Sequence, residues 1–323
     1  MLKKMAALVM AILVLLSATA LADDQIRIGI LQFAEHGSLD NCRTGFIEGL
    51  AAEGYVEGEN VVFDVQNAQA DTSIAAQIAD IMAGKYDMIC AIATPAAMAA
   101  FNAAEDAGIP VIYTAVSDPV SANLANEDGT NPGNITGTSD ALPVEAQLKL
   151  IRAMMPEATK IGILHTTSET NSDATLALYK ELAPQYGFEI IDKGISTGAD
   201  LPMALDALLP QVDCTTNLTD NTVVSYLAVV LEKSQEYGKP VFGSEIEQVE
   251  LGCVASEGLE YTELGRQTGK MAARVLNGES AADIPYETIS NSYLYINPEA
   301  MAAYGLTLPE ALADRAIDVT AAE

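Results

Sequence analysis

The chain has 323 residues, a mass of 34.0 kDa, 50% apolar and 19% charged residues. This length suits about two domains of roughly 100–200 residues each, and the apolar share excludes wholesale disorder. Sixteen Lys and Arg against 45 Asp and Glu give a net charge of -29, which argues against a nucleic-acid partner and against charge-driven docking on anionic lipid.

Met1–Ala22 reads as an address. Lys3 and Lys4 precede an apolar run from Met5 to Leu16, and Ala20-Leu21-Ala22 gives an A-x-A cleavage pattern. The run is short for a bilayer of about 30 Å, and no Cys follows it to carry a lipid. Cleavage removes two Lys and leaves 14 basic against 45 acidic residues, a charge of -31. The expected compartment is the periplasm.

From Ile26 the chain alternates. Ile26–Leu31, Val61–Val65, Asp87–Ala93 and Pro110–Ala115 are short β-rich runs. Ser38–Glu53, Ser73–Met82 and Ala96–Ala107 carry helical spacing between them. This alternation predicts βαβ crossovers and a parallel sheet covered on both faces. Asp118–Gly137, rich in Asn, Gly, Asp and Pro, reads as loops around one short helix.

The alternation then restarts. Helices are expected at Val144–Met155, Asn171–Gln185, Asp200–Leu209 and Thr222–Glu236, and strands at Lys160–His165, Phe188–Asp192, Val212–Thr216 and Pro240–Gly243. The tail has a helix at Tyr261–Leu276, an extended run at Thr288–Ile296 and a short helix at Pro298–Tyr304. That is too little for a third sheet, so the tail is expected to add to both existing units. The fold class is α/β, with two three-layer lobes joined by a hinge of several strands. Crossings are drawn near Thr138, Ala255 and Ser290. The first lobe is then 23–139 and 255–290, and the second 140–254 and 291–323.

Cys42, Cys90, Cys214 and Cys253 show no C-x-x-C spacing, and buried structural thiols are expected. With His36 and His165 as the two histidines, a zinc site is not expected. No nucleophile elbow, phosphate loop, zinc-protease or dinucleotide motif is found, so no cofactor is expected and an enzyme is disfavoured. Two hinged α/β lobes behind a secretion signal fit a solute receptor. A carboxylate pair among Asp40, Asp118 and Asp220 would be the enzymatic alternative.

In open parallel sheets, ligands bind beyond the carboxyl ends of the strands. The residues there are Gln32, Phe33, His36, Ser38, Leu39 and Asp40, then Thr94-Pro95, then Thr114, Ala115 and Asp118. The second unit offers Ser168, Glu169, Asn171, Thr219, Asp220, Asn221, Ser244 and Glu245. Hydroxyls and amides of the first lobe suit an anion, and acids of the second suit a cation. A zwitterionic α-amino acid carries both. Each residue also has a plainer role. Thr94 before Pro95 fits an N-cap, Asp118 a turn opener and Asp220 a cap for the helix at Asn221. Glu245 fits a solvated acidic face with Glu247 and Glu250.

The runs IGILQFAEHGSLDNCRTGFIEGL, AIATPAAMA, YTAVSDPVSANL, GNITGTSD, LTDNTV and LGRQTGKMAARVLNGE, in this order, resemble the substrate-binding proteins of ABC transporters of the tryptophan/tyrosine type. The resemblance extends from Gln25 to about Gly305. It implies a type I periplasmic-binding-protein fold: two Rossmann-like lobes, three crossings and closure on ligand. It also implies a monomer that delivers its ligand to a membrane permease with a cytoplasmic ATPase. Carried over by position, the contacts are Gln32, Thr94, Thr114 and Asp118 in one lobe and Ser168, Asn171, Asp220 and Asn221 in the other. Asp220 is then the expected partner of a ligand ammonium. Other small solutes (a nucleoside, a branched-chain amino acid or a sugar) and a sensor without a transporter remain alternative readings.

Overall fold

The computed structural model describes residues 25–289 and 291–321, so the leader read at Met1–Ala22 lies outside the described residues. The first lobe is built on one parallel sheet. Its strands are β1 (Ile26–Gln32), β2 (Val61–Asn67), β3 (Met88–Ile92), β4 (Val111–Thr114), β5 (Ile135–Ser139) and β11 (Glu287–Thr288), in the spatial order β11-β5-β4-β3-β1-β2. The apolar runs of β1 and β3 are buried because helices cover both faces. Those helices are α1 (Gly37–Ala52), α2 (Thr72–Ala83), α3 (Thr94–Ala104) and α10 (Tyr261–Leu276). Asp71 starts α2 by accepting from the amides of Ser73 at 2.7 Å and Ile74 at 3.1 Å.

One strand of this sheet has no signal in the apolar pattern. β5 reads ITGTS and begins inside the stretch expected as loops around one short helix, where Pro119–Asn123 forms turns instead. Backbone pairing to β4 and β11 holds it in place, and its threonines find polar partners: Thr136 Oγ1 donates to Ile284 O at 2.6 Å.

The second lobe pairs β7 (Glu189–Ile195), β6 (Lys160–Thr166), β8 (Cys214–Thr216) and β9 (Val241–Phe242) in parallel. β10 (Ala255–Gly258) joins this sheet through Val254 N to Val241 O at 2.8 Å and Gly243 N to Ala255 O at 3.0 Å. β12 (Tyr293–Ile296) then pairs antiparallel with β10, and β13 (Ala316–Asp318) closes the edge. Pairing therefore puts Ala255–Gly258 in the second lobe, and the return crossing follows Gly258 rather than preceding Ala255. The chain crosses after β5, after β10 and between β11 and β12. Helices α4 (Val144–Met154), α5 (Thr170–Leu182), α6 (Leu201–Leu208), α8 (Leu227–Glu236) and the short α7 (Asn221–Ser225), α9 (Ile246–Glu250), α11 (Pro298–Ala303) and α12 (Glu310–Ala313) complete this lobe. A break at Tyr226 divides the single helix expected at Thr222–Glu236.

The first lobe has one apolar core, including Ile28, Ile30, Phe46, Leu50, Ile112 and Leu264. The second has two, one around Leu148, Ile161 and Leu294, the other around Leu205, Val223 and Val241. All four cysteines are buried and free. No described helix is long and apolar enough to cross a membrane.

The contact between α1 and α10 is unusually close. A Cβ at Gly45 would stand 2.1 Å from Thr262 O, at Gly49 2.4 Å from Arg266 O, at Gly265 2.2 Å from Cys42 O and at Gly269 2.4 Å from Phe46 O. Only hydrogen fits at these four positions.

Candidate functional site

The carboxyl ends of both sheets meet around a small cavity in the cleft between them. Its lining comes from both lobes. His36, Leu39, Ala93, Ala115, Asp140 and Tyr261 stand on one side, and Asn171, Thr219, Asn221, Val224 and Glu245 on the other. Side chains also meet across the cleft: Ser117 Oγ and Thr219 Oγ1 lie 3.0 Å apart, and His36 Nε2 lies 3.4 Å from Asn221 Oδ1.

Two backbone positions at the mouth of the first sheet are strained. Ala93, directly after β3, has φ +82°, and Ala115, directly after β4, has φ +56°. Alanine rarely occupies this region, and such strain concentrates at sites where backbone placement matters. Ala93 stands in the N-cap position of α3 and offers no capping side chain. Thr94 is one residue inside the helix, not its cap, and its buried Oγ1 has no partner. The first amides of a helix have no intrahelical acceptor, so this end presents uncompensated N–H groups beside a free hydroxyl.

Two buried acids organise the opposite wall. Asp220 accepts from Thr166 N at 2.5 Å, Thr166 Oγ1 at 2.7 Å, Ser172 Oγ at 2.7 Å and Val223 N at 2.9 Å. Its carboxylate is fully used in capping α7 and tying it to β6 and α5. It is fully buried and does not line the cavity. Glu169 accepts from the Asn221 amide at 3.0 Å, Asn221 Nδ2 at 2.7 Å, Thr222 N at 3.1 Å, Thr222 Oγ1 at 3.1 Å and Asn171 Nδ2 at 3.3 Å. Burial, and then the charge of Asp220, push its carboxyl up to about 7.

These bonds fix the neighbouring polarity. Asn221 Nδ2 is committed to Glu169, so its Oδ1 faces His36 and accepts from Nε2–H. Burial lowers His36 to about 4, so the ring is neutral and Nδ1 is a bare acceptor. That Nδ1 has no partner, nor has Asn171 Oδ1 or Asp140 Oδ1. Asp140 Oδ2 accepts from Tyr261 OH at 2.7 Å, and burial raises its carboxyl. Glu245 is buried, receives Gln248 Nε2 at 3.1 Å, and is pushed up to about 8 by burial and the neighbouring Glu247. Two bare acceptors, His36 Nδ1 and Asn171 Oδ1, and two buried acids, Asp140 and Glu245, therefore line a cavity to which no Lys or Arg among the described residues contributes.

Of the candidates read from the sequence, His36, Leu39, Ala115, Asn171, Thr219, Asn221 and Glu245 lie together on this cavity, with Thr94 next to its lining residue Ala93. Glu245 is not on a solvated face; only Glu250 of its acidic neighbours is exposed. The others are elsewhere. Gln32 is buried and donates to Ala34 O at 2.7 Å and Asp40 Oδ1 at 3.0 Å, while Arg43 donates to its Oε1. Thr114 Oγ1 lies between Cys42 Sγ at 3.4 Å and Thr138 Oγ1 at 3.2 Å. Asp118 caps a turn through Val120 N and Ser121 N, both at 3.0 Å, and Ser168 is exposed. Phe33 is core and not cavity wall.

Asp140 and Tyr261 were not legible as site residues. Asp140 follows β5, the strand without an apolar run, so the rule that reads residues beyond strand ends had no strand to start from. Tyr261 follows β10, where the sequence reading placed no strand, so that rule had no starting point there either.

Parallel sheets facing each other across a closed polar cavity, with three chain crossings, define a two-lobed solute receptor of the type I periplasmic-binding-protein fold. Comparison gives the family. The model for ABC transporter substrate binding proteins matches residues 27–320, and the chain belongs to that family. It is thus a binding protein, an extracytoplasmic component that presents a small molecule to an ABC permease. A tyrosine-binding protein of Clostridioides difficile is 39% identical over 280 residues, 86% of this chain and 81% of that protein. A Streptococcus pneumoniae ABC domain in complex with L-Trp superposes with a TM-score of 0.87 at 33% identity, covering 91% of this chain and 100% of that one. A ligand-free, open substrate-binding protein with adhesive properties from Clostridium difficile is 38% identical, with coverage of 91% and 99%, yet scores 0.68. In the present chain side chains of the two lobes meet across the cleft, as at Ser117–Thr219 and His36–Asn221.

Proposed function

We propose that the protein is the periplasmic receptor of an amino-acid importer and that it closes as a monomer around an aromatic L-α-amino acid. Closed, it presents the ligand to a permease driven by a cytoplasmic ATPase. The observation that carries this reading is the polarity of the cavity. Bare acceptors and buried acids on both walls call for a ligand rich in N–H donors, and the uncapped start of α3 calls for an anion. One α-amino acid satisfies both. The ligand bound by the pneumococcal domain and the name of the clostridial relative support an aromatic side chain.

In this reading the ammonium meets Asp140 and Glu245, with His36 Nδ1 and Asn171 Oδ1 as further acceptors. Asp220, first expected in that role, has its oxygens taken. The carboxylate meets Thr94 Oγ1 and the first amides of α3, where the helix dipole favours negative charge. Leu39, Ala115, Val224 and Tyr261 pack on the ring. The three crossings act as the hinge, and several crossings restrict the lobes to bending.

The test is a thermal-shift and calorimetric screen of ligand-stripped protein against the twenty amino acids, nucleosides and simple sugars. A ligand at about 100 times its Kd stabilises by about 2.7 kcal/mol, a midpoint rise of several degrees. A response to Tyr, Trp or Phe is expected. A response confined to a nucleoside or sugar would overturn the amino-acid reading.

A further inference from the structure

Glu247 does not line the cavity, yet it spans the cleft. It sits on α9 of the second lobe and is almost fully buried. Its Oε1 accepts from Asn41 Nδ2 at 2.6 Å, and its Oε2 from Ser38 Oγ at 3.3 Å. Both donors belong to the first turns of α1, in the opposite lobe.

Three further observations single out this contact. The N-cap residue of α1, His36, gives that helix no side-chain cap, so a carboxylate there meets the positive end of a sixteen-residue helix. A Cβ at Gly37 would stand 3.0 Å from Glu247 Cγ, so the start of α1 packs closely against the acid's side chain. Ser38 also hydrogen-bonds the neighbouring Glu245 carboxyl, on the same α1–α9 contact; the remaining cross-lobe side-chain hydrogen bonds among the described residues are between neutral groups: Ser117–Thr219 at 3.0 Å, His36–Asn221 at 3.4 Å and Thr170–Met98 at 4.0 Å. Charge-assisted bonds are about twice as strong as neutral ones.

We propose that Glu247 is a clasp between the lobes, a positioning residue that sets ligand affinity by holding the cleft shut without touching the ligand. A receptor binds tightly only in its closed form, so affinity scales with the stability of that form. Losing the clasp lowers affinity through faster release, since closure is what retains the ligand. The inference rests on the proposed reading for its ligand but not for its lobe contact.

The experiment has two arms on the full mature protein. In the first, wild type, Glu247→Ala, Asn41→Ala and the double variant are titrated with L-tyrosine and L-tryptophan. Each single change is expected to weaken binding about tenfold, with the loss in the dissociation rate. The double variant is expected to be no weaker than Glu247→Ala, because the two residues share one interaction across the cleft. Additive losses, or unchanged affinity, would overturn the clasp. In the second arm, spin labels placed on the exposed faces of the two lobes report inter-lobe distances in ligand-free protein. Glu247→Ala and the milder Glu247→Gln are expected to shift that distribution outward while the ligand-free melting midpoint stays within about 2 °C. An unshifted distribution, or a midpoint that falls in the ligand-free protein as much as in the ligated one, refutes the role. If neither amino acid binds wild type while the distances shift, the ligand assignment fails and the clasp stands.

Discussion

Asp220 separates a structural acid from a ligand-binding one, and Asp220→Ala tests the assignment. Four donors lose their acceptor. Two are the buried amides of Thr166 and Val223, held at 2.5 and 2.9 Å. Each costs about 1–3 kcal/mol when left unsatisfied. The hydroxyls of Thr166 and Ser172 rotate toward other acceptors and add less. One term opposes the loss: the charge of Asp220 raises the carboxyl of Glu169, so its removal relieves that neighbour. The net is a destabilisation of about 3–5 kcal/mol, in the range for breaking a buried charged network. At about 2–4 °C per kcal/mol for a chain of this size, the ligand-free midpoint falls by about 10 °C. Scanning calorimetry of ligand-free protein measures this. Calorimetric titration with L-tyrosine below the transition measures affinity, expected to fall less than tenfold because Asp220 does not line the cavity. A midpoint within about 2 °C of wild type together with collapsed affinity would refute the reasoning and return Asp220 to the ligand.

Stability is also expected to depend on pH in a defined sense. Glu169 and Glu245 have carboxyls raised by burial to about 7 and 8; folded protein therefore holds protons that the unfolded chain has released, and stability falls as pH rises to 8. Lowered His36 acts oppositely between about 4 and its ordinary 6.5, so the clean window is pH 6.5 to 8. There the midpoint falls by a few degrees, Glu245→Gln flattens the slope, and a midpoint that rises across this window refutes the assignment. Thr94→Val removes an unpartnered buried hydroxyl; it is expected to leave the fold intact and weaken amino-acid binding about tenfold, measured by titration, and unchanged affinity would remove Thr94 from the carboxylate site. Gly265→Ala forces a methyl to within 2.2 Å of Cys42 O; thermal unfolding should show a loss of about 3 kcal/mol or more, as for overpacking against backbone that cannot shift, and a wild-type midpoint would show that the helices separate freely.

The parallel sheets were legible because strands such as β3 are apolar throughout, β1 and β6 carry apolar cores, and their helices carry matching spacing; α10 falls where its pattern put it, at Tyr261–Leu276. β5 was not, because ITGTS satisfies its polar groups within the molecule and leaves no hydrophobic signature. The candidates reached through strand ends divide along the same line. His36, Asn171 and Asn221 face the cavity because they start helices just beyond strands. Asp220 sits in an equally suitable place in the chain, but its neighbours supply four donors, and no spacing rule reports how many lone pairs a carboxylate has left. Thr114 is at a strand end too, yet its hydroxyl turns to Cys42 and Thr138.

The glycine contact between α1 and α10 has a mechanical consequence. With backbone on backbone, no flexible side chain lies between the helices to serve as a bearing, so neither slides over the other. Tyr261 begins one of them, and His36, Ser38 and Asn41 cluster at the start of the other. Segments more than 200 residues apart in the chain are thereby cast as a single jaw of fixed profile. Any accommodation to rings of different width must come from the facing wall, where α7 is one turn long and breaks at Tyr226.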